Sequence, residues 1–195
     1  MVRSKQKPNG LWWYFNSSEF VSIRGRLLLP MKIARVTLSD RAAAGIYADE
    51  SGPEIERVAQ QFFAEPLEWT RVLLPDSRTE LETALRHLAD QEKCPLILTT
   101  GGTGPAARDI TPEATLAVLD KELPGFGEIM RLHSYAKVKT AILSRATAGV
   151  RGRSLIVNLP GRPSAIAECL PLLAPAIAEA LDHIAGFRPA LRLPA

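Results

Sequence analysis

The chain has 195 residues, of which 46% are hydrophobic and 23% are charged, the composition of an ordinary globular domain with one sizeable core. Its formal net charge of +3 is too small and too scattered to indicate nucleic-acid binding. The sequence has no apolar run of about 18 residues, so we expect no membrane-spanning helix and no membrane partner.

Cysteine and histidine usage also excludes several classes of protein. Cys94 and Cys169 stand alone, without the paired spacing of a disulfide framework or a structural zinc site, which favours a reducing compartment such as the cytoplasm. Both have apolar neighbours and are expected to be small buried side chains. The three histidines (His87, His133 and His183) are dispersed, and we assign none of them as a metal ligand.

The first thirty residues differ from the remainder of the chain. They hold two of the three tryptophans, five basic residues and one acidic residue, with no helical or strand period. We therefore expect residues 1–30 to be a poorly ordered extension, and our preferred hypothesis is a non-native start with Met31 opening the domain. The domain itself is predicted over residues 31–185, followed by a C-terminal tail over residues 186–195.

The domain opens with a predicted strand and helix. Residues 31–40 (MKIARVTLSD) alternate apolar with small and basic side chains and then reach Asp40, which predicts a strand followed by a loop. A helix is expected to open at residues 51–53, because proline is tolerated in the first helical turn. Its apolar stripe at helical spacing is Ile55, Val58, Ala59, Phe62 and Phe63.

The second strand and helix have clear boundaries. Residues 67–76 (LEWTRVLLPD) indicate a strand that Pro75 ends. Ser77 and Glu80 have the spacing of a capping box, so a helix is expected to begin there. Residues 95–100 (PLILTT) form a short continuous apolar run, which is typical of a strand buried on both faces.

The alternation continues to about Ile184. Thr111 is expected to be the N-cap of a third helix, and another helix is predicted over residues 126–136. Residues 140–150 stay unassigned, residues 153–161 (RSLIVNLPG) predict the last clear strand, and residues 163–184 predict a helix interrupted by prolines. The alternation implies a three-layer, Rossmann-like α/β fold, with a mostly parallel sheet and helices on both faces. Ligands bind such sheets beyond the carboxyl ends of the strands.

A glycine-rich segment follows one of these strand ends. Three glycines within the four residues GGTG let the backbone turn tightly and approach a ligand, and the exposed N–H groups of such a turn favour an anion. The motif has neither the P-loop ending nor the dinucleotide spacing, and a tight surface turn is the alternative. The candidate phosphate-binding residues are Thr100, Gly101, Gly102, Thr103 and Gly104.

Two carboxylates are expected at the same edge of the sheet. Asp76 ends the strand before the glycine segment, and Asp109 follows Gly104 by five residues. Paired carboxylates beside bound phosphates suit Mg²⁺, which we therefore expect as the metal of Asp76 and Asp109. The alternative is that each aspartate caps a helix. Asp40 follows a strand as well, but a loop aspartate is the simpler interpretation there.

Two further segments are candidate binding elements. Pro160 and Gly161, in NLPG, form a stiff loop after the last strand, which suits either a ligand wall or a locked turn. Ser144 and Arg145 could supply a hydroxyl and a cation to a phosphate, although a capping serine beside a surface arginine is the alternative.

Together these segments resemble the MogA/MoaB-type molybdenum-cofactor proteins. The resemblance covers the chain in order from Met31 to about Leu181, and its most specific part is TTGGTGPAARDITPEAT. The other matching segments are LSDRAAAGIYADESGP, LLPD, LPGFGEIMR, AILSRATAGVRG and LIVNLPGRPSAI. PGFGEIMR and AILSRA favour the MogA branch, which adenylylates molybdopterin.

The resemblance implies a cytoplasmic, homotrimeric nucleotidyltransferase that moves AMP from Mg·ATP to molybdopterin and releases pyrophosphate. Its product would pass to a molybdenum insertase. Asp76 and Asp109 match the essential carboxylates of the family, the glycine segment would hold phosphate, and Ser144 with Pro160 and Gly161 would line the pocket. Two other functions stay open: a MoaB-like pterin-binding protein without catalysis, and a nucleotide hydrolase of the same fold.

Overall fold

A computed structural model describes residues 21–23 and 26–192, with side chains from Leu29 to Arg192. The strands are β1 (Val21–Ile23), β2 (Arg26–Leu28), β3 (Met31–Leu38), β4 (Leu67–Leu74), β5 (Leu96–Thr100), β6 (Lys121–Glu122), β7 (Ala148–Arg151) and β8 (Ser154–Leu159). The helices are α1 (Asp40–Ala43), α2 (Ser51–Phe62), α3 (Arg78–Asp90), α4 (Thr111–Leu116), α5 (Gly125–Tyr135), a 3-10 helix (Lys139–Leu143) and α6 (Pro163–Ala185).

A six-stranded mixed sheet organises these elements, in the order β4-β3-β5-β8-β7-β6. The first four strands of that order are parallel, as expected from the alternation of strand and helix. β7 and β6 add an antiparallel edge, which the sequence did not predict. β7 arises from the segment that was left unassigned, and the hairpin to β8 turns at Gly152, whose φ of +55° suits glycine.

Helices cover both faces of the sheet, which confirms the three-layer α/β fold. Ile33 and Leu98 point to the face covered by α2 and α6, where they join the larger hydrophobic core. Their neighbours Ala34 and Ile97 point to the opposite face, where α3 and α4 form a second core. Because both faces are covered, β3 is almost wholly buried along its length rather than alternating between buried and exposed.

The predicted helix starts are confirmed, with two differences in detail. Ser77 accepts a hydrogen bond from the Glu80 N–H at 3.5 Å, but its own N–H donates to the Pro75 carbonyl, so the capping box is half formed. In the first helix the apolar stripe is buried as expected, although Phe63 lies just past the end of α2 in extended backbone. Phe63 instead forms an antiparallel bridge with Leu191, which ties the C-terminal residues to the domain.

The last helix is continuous, whereas the sequence predicted an interruption by prolines. Pro171 and Pro175 lie inside α6. Eight of its residues are buried, and its packing against α2 and β8 outweighs the two missing amide donors. By length and composition alone α6 could cross a membrane, contrary to our expectation from apolar runs, but a buried core helix has the same composition.

The described part of the N-terminal extension forms a small separate ladder. β1 pairs with β2 in antiparallel register from Val21 opposite Leu28 to Ile23 opposite Arg26. The sequence shows no strand period there and predicts no such pairing. The hypothesis of a non-native start concerns mainly residues 1–20, which lie outside the described residues, and it stays a hypothesis.

Candidate functional site

The carboxyl ends of four strands meet around one polar cavity of about 280 Å³. β3 leads to Asp40, β4 leads to Asp76 and β5 leads to the glycine segment, because parallel strands bring their ends to the same edge of the sheet. Asp40, Asp76, Asp109, Gly101 and Gly102 all line this cavity. The sequence-predicted carboxylates are therefore neighbours of the glycine segment in space as well as in the chain.

The glycine segment turns sharply as it leaves β5. Gly101 and Gly102 have φ angles of +94° and +61°, which side chains other than glycine rarely adopt. A Cβ on Gly101 would lie 2.2 Å from the Leu38 carbonyl oxygen, so the turn also packs against the end of β3. These two positions need glycine for their backbone conformation, and the turn exposes backbone N–H groups toward the cavity edge.

Thr111 fastens the turn to α4 in a way that differs from our expectation. It is not the N-cap, because that position is taken by Ile110, which makes no side-chain cap. Instead, the Thr111 hydroxyl donates to the Gly101 carbonyl at 2.8 Å, and its backbone N–H donates to the Gly102 carbonyl at 3.0 Å. The start of α4 is thereby held against the glycine turn.

Asp76 lies beside the turn in an environment that disfavours its charge. Its Oδ1 would be 3.6 Å from a Cβ placed on Gly102. Burial raises the pKa of Asp76 above its ordinary value of 3.8, and the nearby carboxylates of Asp40 and Asp109 act in the same direction. Arg108 and a backbone hydrogen bond from Asp40 oppose this rise without cancelling it. A cation at this position would relieve the repulsion among the carboxylates.

Asp109 lies on the other side of the glycine segment. Its Oδ2 accepts a hydrogen bond from the Ala106 N–H at 2.9 Å, and its own N–H donates to the Ala106 carbonyl at 2.9 Å. A Cβ on Gly104 would lie 2.8 Å from this Oδ2, so Gly104 allows the carboxylate to approach the segment closely. Asp76 and Asp109 therefore flank the glycine segment at Gly102 and Gly104 respectively.

The donor set suits a metal that is shared with a phosphate ligand. Within the described residues there is no group of three or more histidine, cysteine, aspartate or glutamate side chains arranged to hold a metal ion. A metal cage made wholly of protein is thus absent from that part of the chain. Mg²⁺ commonly takes one or two carboxylates and completes its shell with water and phosphate oxygens, which Asp76 and Asp109 could accommodate.

A second cavity of about 300 Å³ lies on the other side of the glycine segment. It receives the remaining candidate residues, namely Thr103, Gly104, Ser144 and Pro160, whereas Thr100 lines the first cavity. Its walls mix hydroxyl groups with apolar side chains such as Met130 and Leu143, α5 and the 3-10 helix forming one side. A flat, polar-edged ring suits such a mixed lining better than a bare phosphate does.

Gly161 lines both cavities and is held in place by neighbouring groups. Its carbonyl accepts a hydrogen bond from the Ser51 hydroxyl at 2.7 Å, and the preceding Pro160 carbonyl accepts one from the Thr100 hydroxyl at 2.8 Å. A Cβ on Gly161 would lie 3.6 Å from the Gly101 Cα. The NLPG loop and the glycine turn thus form one continuous wall between the two cavities.

The sequence did not identify the residues that support this wall from the first helix. Asp49 and Ser51 line the first cavity, and Asp49 accepts a hydrogen bond from the Gly52 N–H at 2.9 Å. The buried Arg35 holds Asp49 through a 2.7 Å ion pair. An aspartate three residues before a helical N–H is a capping signal, so the DESGP segment could have indicated Asp49.

Arg145 does not lie in the position expected of a phosphate-binding cation. Its guanidinium donates to the carbonyl oxygens of Gly104 and Asp109 and pairs with Glu113, and Ser144 rather than Arg145 lines the second cavity. Arg108, which the sequence did not single out, lines the first cavity.

The remaining candidates behave as the sequence predicts. Cys94 and Cys169 are fully buried free thiols, and burial raises the pKa of both. None of the three histidines lines either of the two cavities around the glycine segment.

Comparison with known proteins gives consistent matches. The family described as "Probable molybdopterin binding domain" matches residues 34–179. A protein named molybdopterin adenylyltransferase from Helicobacter pylori is 51% identical over 154 residues, which are 79% of this chain and 88% of that protein. The protein of the same name from Escherichia coli K12 is 49% identical over 140 residues, or 72% of each chain.

Solved structures show the same relationship. The molybdopterin biosynthesis enzyme MoaB from Thermus thermophilus aligns with a TM-score of 0.73 and 42% identity, covering 80% of this chain and 97% of that one. The tungsten cofactor synthesizing protein MoaB from Pyrococcus furiosus aligns with a TM-score of 0.70 and 34% identity, covering 80% and 97%.

Proposed function

Because the chain belongs to the family of molybdopterin-binding domains, we propose that it is a molybdopterin adenylyltransferase that acts in molybdenum-cofactor biosynthesis. The observation that carries this proposal is identity of about half the residues to proteins of that name over 72–79% of the chain. The two cavities on either side of the glycine segment support it, since the reaction must bring two phosphate-bearing substrates together.

In the proposed reaction an oxygen of the terminal phosphate of molybdopterin attacks the α-phosphorus of ATP. The bond from that phosphorus to the bridging oxygen of the β-phosphate breaks, and pyrophosphate leaves with the bonding electron pair. Such a transfer asks for alignment and charge neutralisation more than for a protein nucleophile. The fully buried thiols of Cys94 and Cys169 accordingly have no role in the step.

We assign the polar first cavity to the triphosphate of ATP and the mixed second cavity to the pterin. Asp76 and Asp109 would hold Mg²⁺, which when bound neutralises phosphate charge and orients the triphosphate. The N–H groups of Gly101, Gly102 and the residues after them would bind the phosphate that lies between the cavities. In the second cavity, Ser144, Pro160 and Gly161 would contact the pterin.

The quaternary structure and the partners are also proposals. We propose a homotrimer in the cytoplasm that passes its product to a molybdenum insertase. An exposed apolar surface on α5 and the 3-10 helix supports self-association, because apolar patches of this kind are typical of interfaces. Its exposed residues are Ile129, Leu132, Tyr135, Val138, Ile142 and Leu143.

The test is a reconstituted assay of pyrophosphate release from ATP in the presence of Mg²⁺ and molybdopterin. A transferase releases pyrophosphate only when both substrates are present, and adenylylated molybdopterin accumulates in equal amount. A pterin-binding protein without catalysis would release none, and a nucleotide hydrolase would break down ATP without molybdopterin. Either of these last two results would overturn the proposal.

A further inference from the structure

The loop from Gly104 to Asp109 is fastened at both of its ends by one guanidinium group. Arg145 Nε donates to the Gly104 carbonyl at 2.8 Å, and Arg145 Nη2 donates to the Asp109 carbonyl at 2.6 Å. The backbone N–H of Arg145 adds a 2.9 Å hydrogen bond to the Thr103 carbonyl. A residue from a distant segment therefore joins the first and last residues of this loop.

The third arm of the guanidinium is also occupied. Arg145 Nη1 pairs with the carboxylate of Glu113 on α4, the helix that follows the loop. Burial acts to raise the pKa of Glu113, but the residue's own backbone N–H and the Arg145 guanidinium outweigh it and hold that pKa below its ordinary value. The two side chains therefore form a charged pair, in which the positive charge of Arg145 is balanced beside α4 rather than offered to a ligand.

The same loop sets the position of the Asp109 carboxylate. Within the loop, Asp109 Oδ2 accepts from the Ala106 N–H and the Asp109 N–H donates to the Ala106 carbonyl, so side chain and backbone move together. The carboxylate lines the first cavity, on the far side of the loop from Arg145. A shift of the Gly104 or Asp109 carbonyl would carry the carboxylate with it.

We propose that Arg145 is a positioning residue that holds Asp109 in its working place by closing the Gly104–Asp109 loop; this inference rests on the proposed adenylyl transfer. Arginine suits the task because its planar, forked group donates in fixed directions to two carbonyls and a carboxylate at once. Lysine, a single point charge on a flexible stem, cannot bridge the same three acceptors. Arg145 itself touches neither substrate.

The experiment compares Arg145→Lys with Arg151→Lys in the full chain. Arg151 is a matched control, because it too bonds a carboxylate and a backbone carbonyl, those of Asp90 and Val118, but lies outside both cavities. For Arg145→Lys we expect kcat to fall by about 100-fold, the effect typical of a displaced reacting group, with little change in KM for ATP or molybdopterin. Arg151→Lys should keep wild-type kcat.

Hydrogen–deuterium exchange without substrates gives a second, independent readout. Arg145→Lys should speed exchange of the amides of Ala106 and Asp109, whereas Arg151→Lys should leave them unchanged. Wild-type kcat in Arg145→Lys, or a loss of kcat with unaltered exchange in this loop, would overturn the inference. If the wild-type chain releases no pyrophosphate, the adenylyltransferase proposal fails, while the exchange rates still decide whether Arg145 holds the loop.

Glu113→Gln separates positioning from direct phosphate binding. The variant leaves both carbonyl bonds of Arg145 in place and removes the balancing negative charge, so we expect kcat near wild type and an unchanged KM for ATP. A lower KM for ATP in Glu113→Gln would show that the released guanidinium binds phosphate, which contradicts a positioning role.

Discussion

Asp40 and Asp76 each hold the backbone of the other. The Asp76 N–H donates to the Asp40 carboxylate at 2.9 Å, and the Asp40 N–H donates to the Asp76 carboxylate at 3.4 Å. The loops after β3 and β4 are thereby joined at the mouth of the first cavity, with two carboxylates close together. This closeness keeps the cavity acidic and makes it costly to leave without a cation.

Asp76→Asn should lose most adenylyl transfer and yet raise the thermal stability of the chain. The pKa of Asp76 is raised in the fold, chiefly by burial, so the folded chain binds a proton there more tightly than the unfolded chain does. The stability linked to this proton is complete below the ordinary pKa of 3.8 and is lost as the pH rises through the raised pKa. At neutral pH the neutral amide avoids that loss.

Calorimetry at two pH values tests this prediction. At pH 7 the Tm of Asp76→Asn should exceed that of the wild type, and the difference should shrink in acid. Asp90→Asn is the control of opposite sign, because the Arg151 guanidinium lowers the pKa of Asp90. That variant should lower the Tm at pH 7. An unchanged Tm together with normal turnover in Asp76→Asn would remove Asp76 from the site.

Asp109→Ala should abolish pyrophosphate release while molybdopterin still binds. The carboxylate faces the first cavity, whereas the residues assigned to the pterin line the second, so the substitution leaves the pterin contacts intact. Turnover is measured by pyrophosphate release and binding by calorimetric titration with molybdopterin. A variant that turned over ATP normally would show that Asp109 has no part in the reaction.

Two glycine substitutions should act through different properties of the same turn. Gly104→Ala places a Cβ 2.8 Å from Asp109 Oδ2 without demanding an unusual φ, so we expect reduced turnover with nearly unchanged stability. Gly102→Val places a branched side chain at a φ of +61° and 2.6 Å from the Thr111 hydroxyl. Backbone strain of this kind costs on the order of 1–3 kcal/mol, so this variant should lose both stability and phosphate affinity.

Denaturant unfolding and ATP titration distinguish the two glycine variants. Undiminished ligand affinity in Gly102→Val would count against the phosphate-binding role of the turn. For Gly104→Ala, wild-type turnover would mean that Asp109 tolerates displacement.

Leu132→Glu combined with Ile142→Glu should dissociate the proposed trimer. The two side chains are 70% and 65% exposed on the apolar surface of α5 and the 3-10 helix, and burying new charges there would be unfavourable. Light scattering after gel filtration gives the mass. Leu116→Glu is the control, because Leu116 is an exposed apolar residue on α4, outside that surface. A wild-type chain that is already monomeric would contradict the trimer, and an intact double-variant trimer would contradict its assignment to this surface.

The sequence predicted most of the fold because its signals are local. The strand runs, Pro75 and the Ser77 cap each act within a few residues of themselves, and the structure confirms the elements they define. The continuity of α6 could not be predicted, since it depends on burial against α2 and β8 rather than on Pro171 and Pro175. The edge strands β6 and β7 are short, and their pairing depends on their position in the sheet.

The candidate site shows the same division. Parallel topology allowed the shared edge of Asp76 and Asp109 to be predicted from their positions after strands. Contacts between distant segments were beyond the pattern: Thr111 bonds the glycine turn instead of capping α4, and Arg145 bonds loop carbonyls instead of a phosphate. Polar side chains that bond backbone far away in the chain leave no periodic signal.

The shared wall at Gly161 has a consequence for the fate of the product. With the pterin on one side and the adenylyl group on the other, adenylylated molybdopterin would straddle Gly161 and be gripped at two places, whereas each substrate is gripped at one. Two linked anchors dissociate far more slowly than either alone, because a released half rebinds before the other lets go. Loosening the Ser51–Gly161 hydrogen bond would free both halves together, so an acceptor protein that disturbs this contact could unload the enzyme.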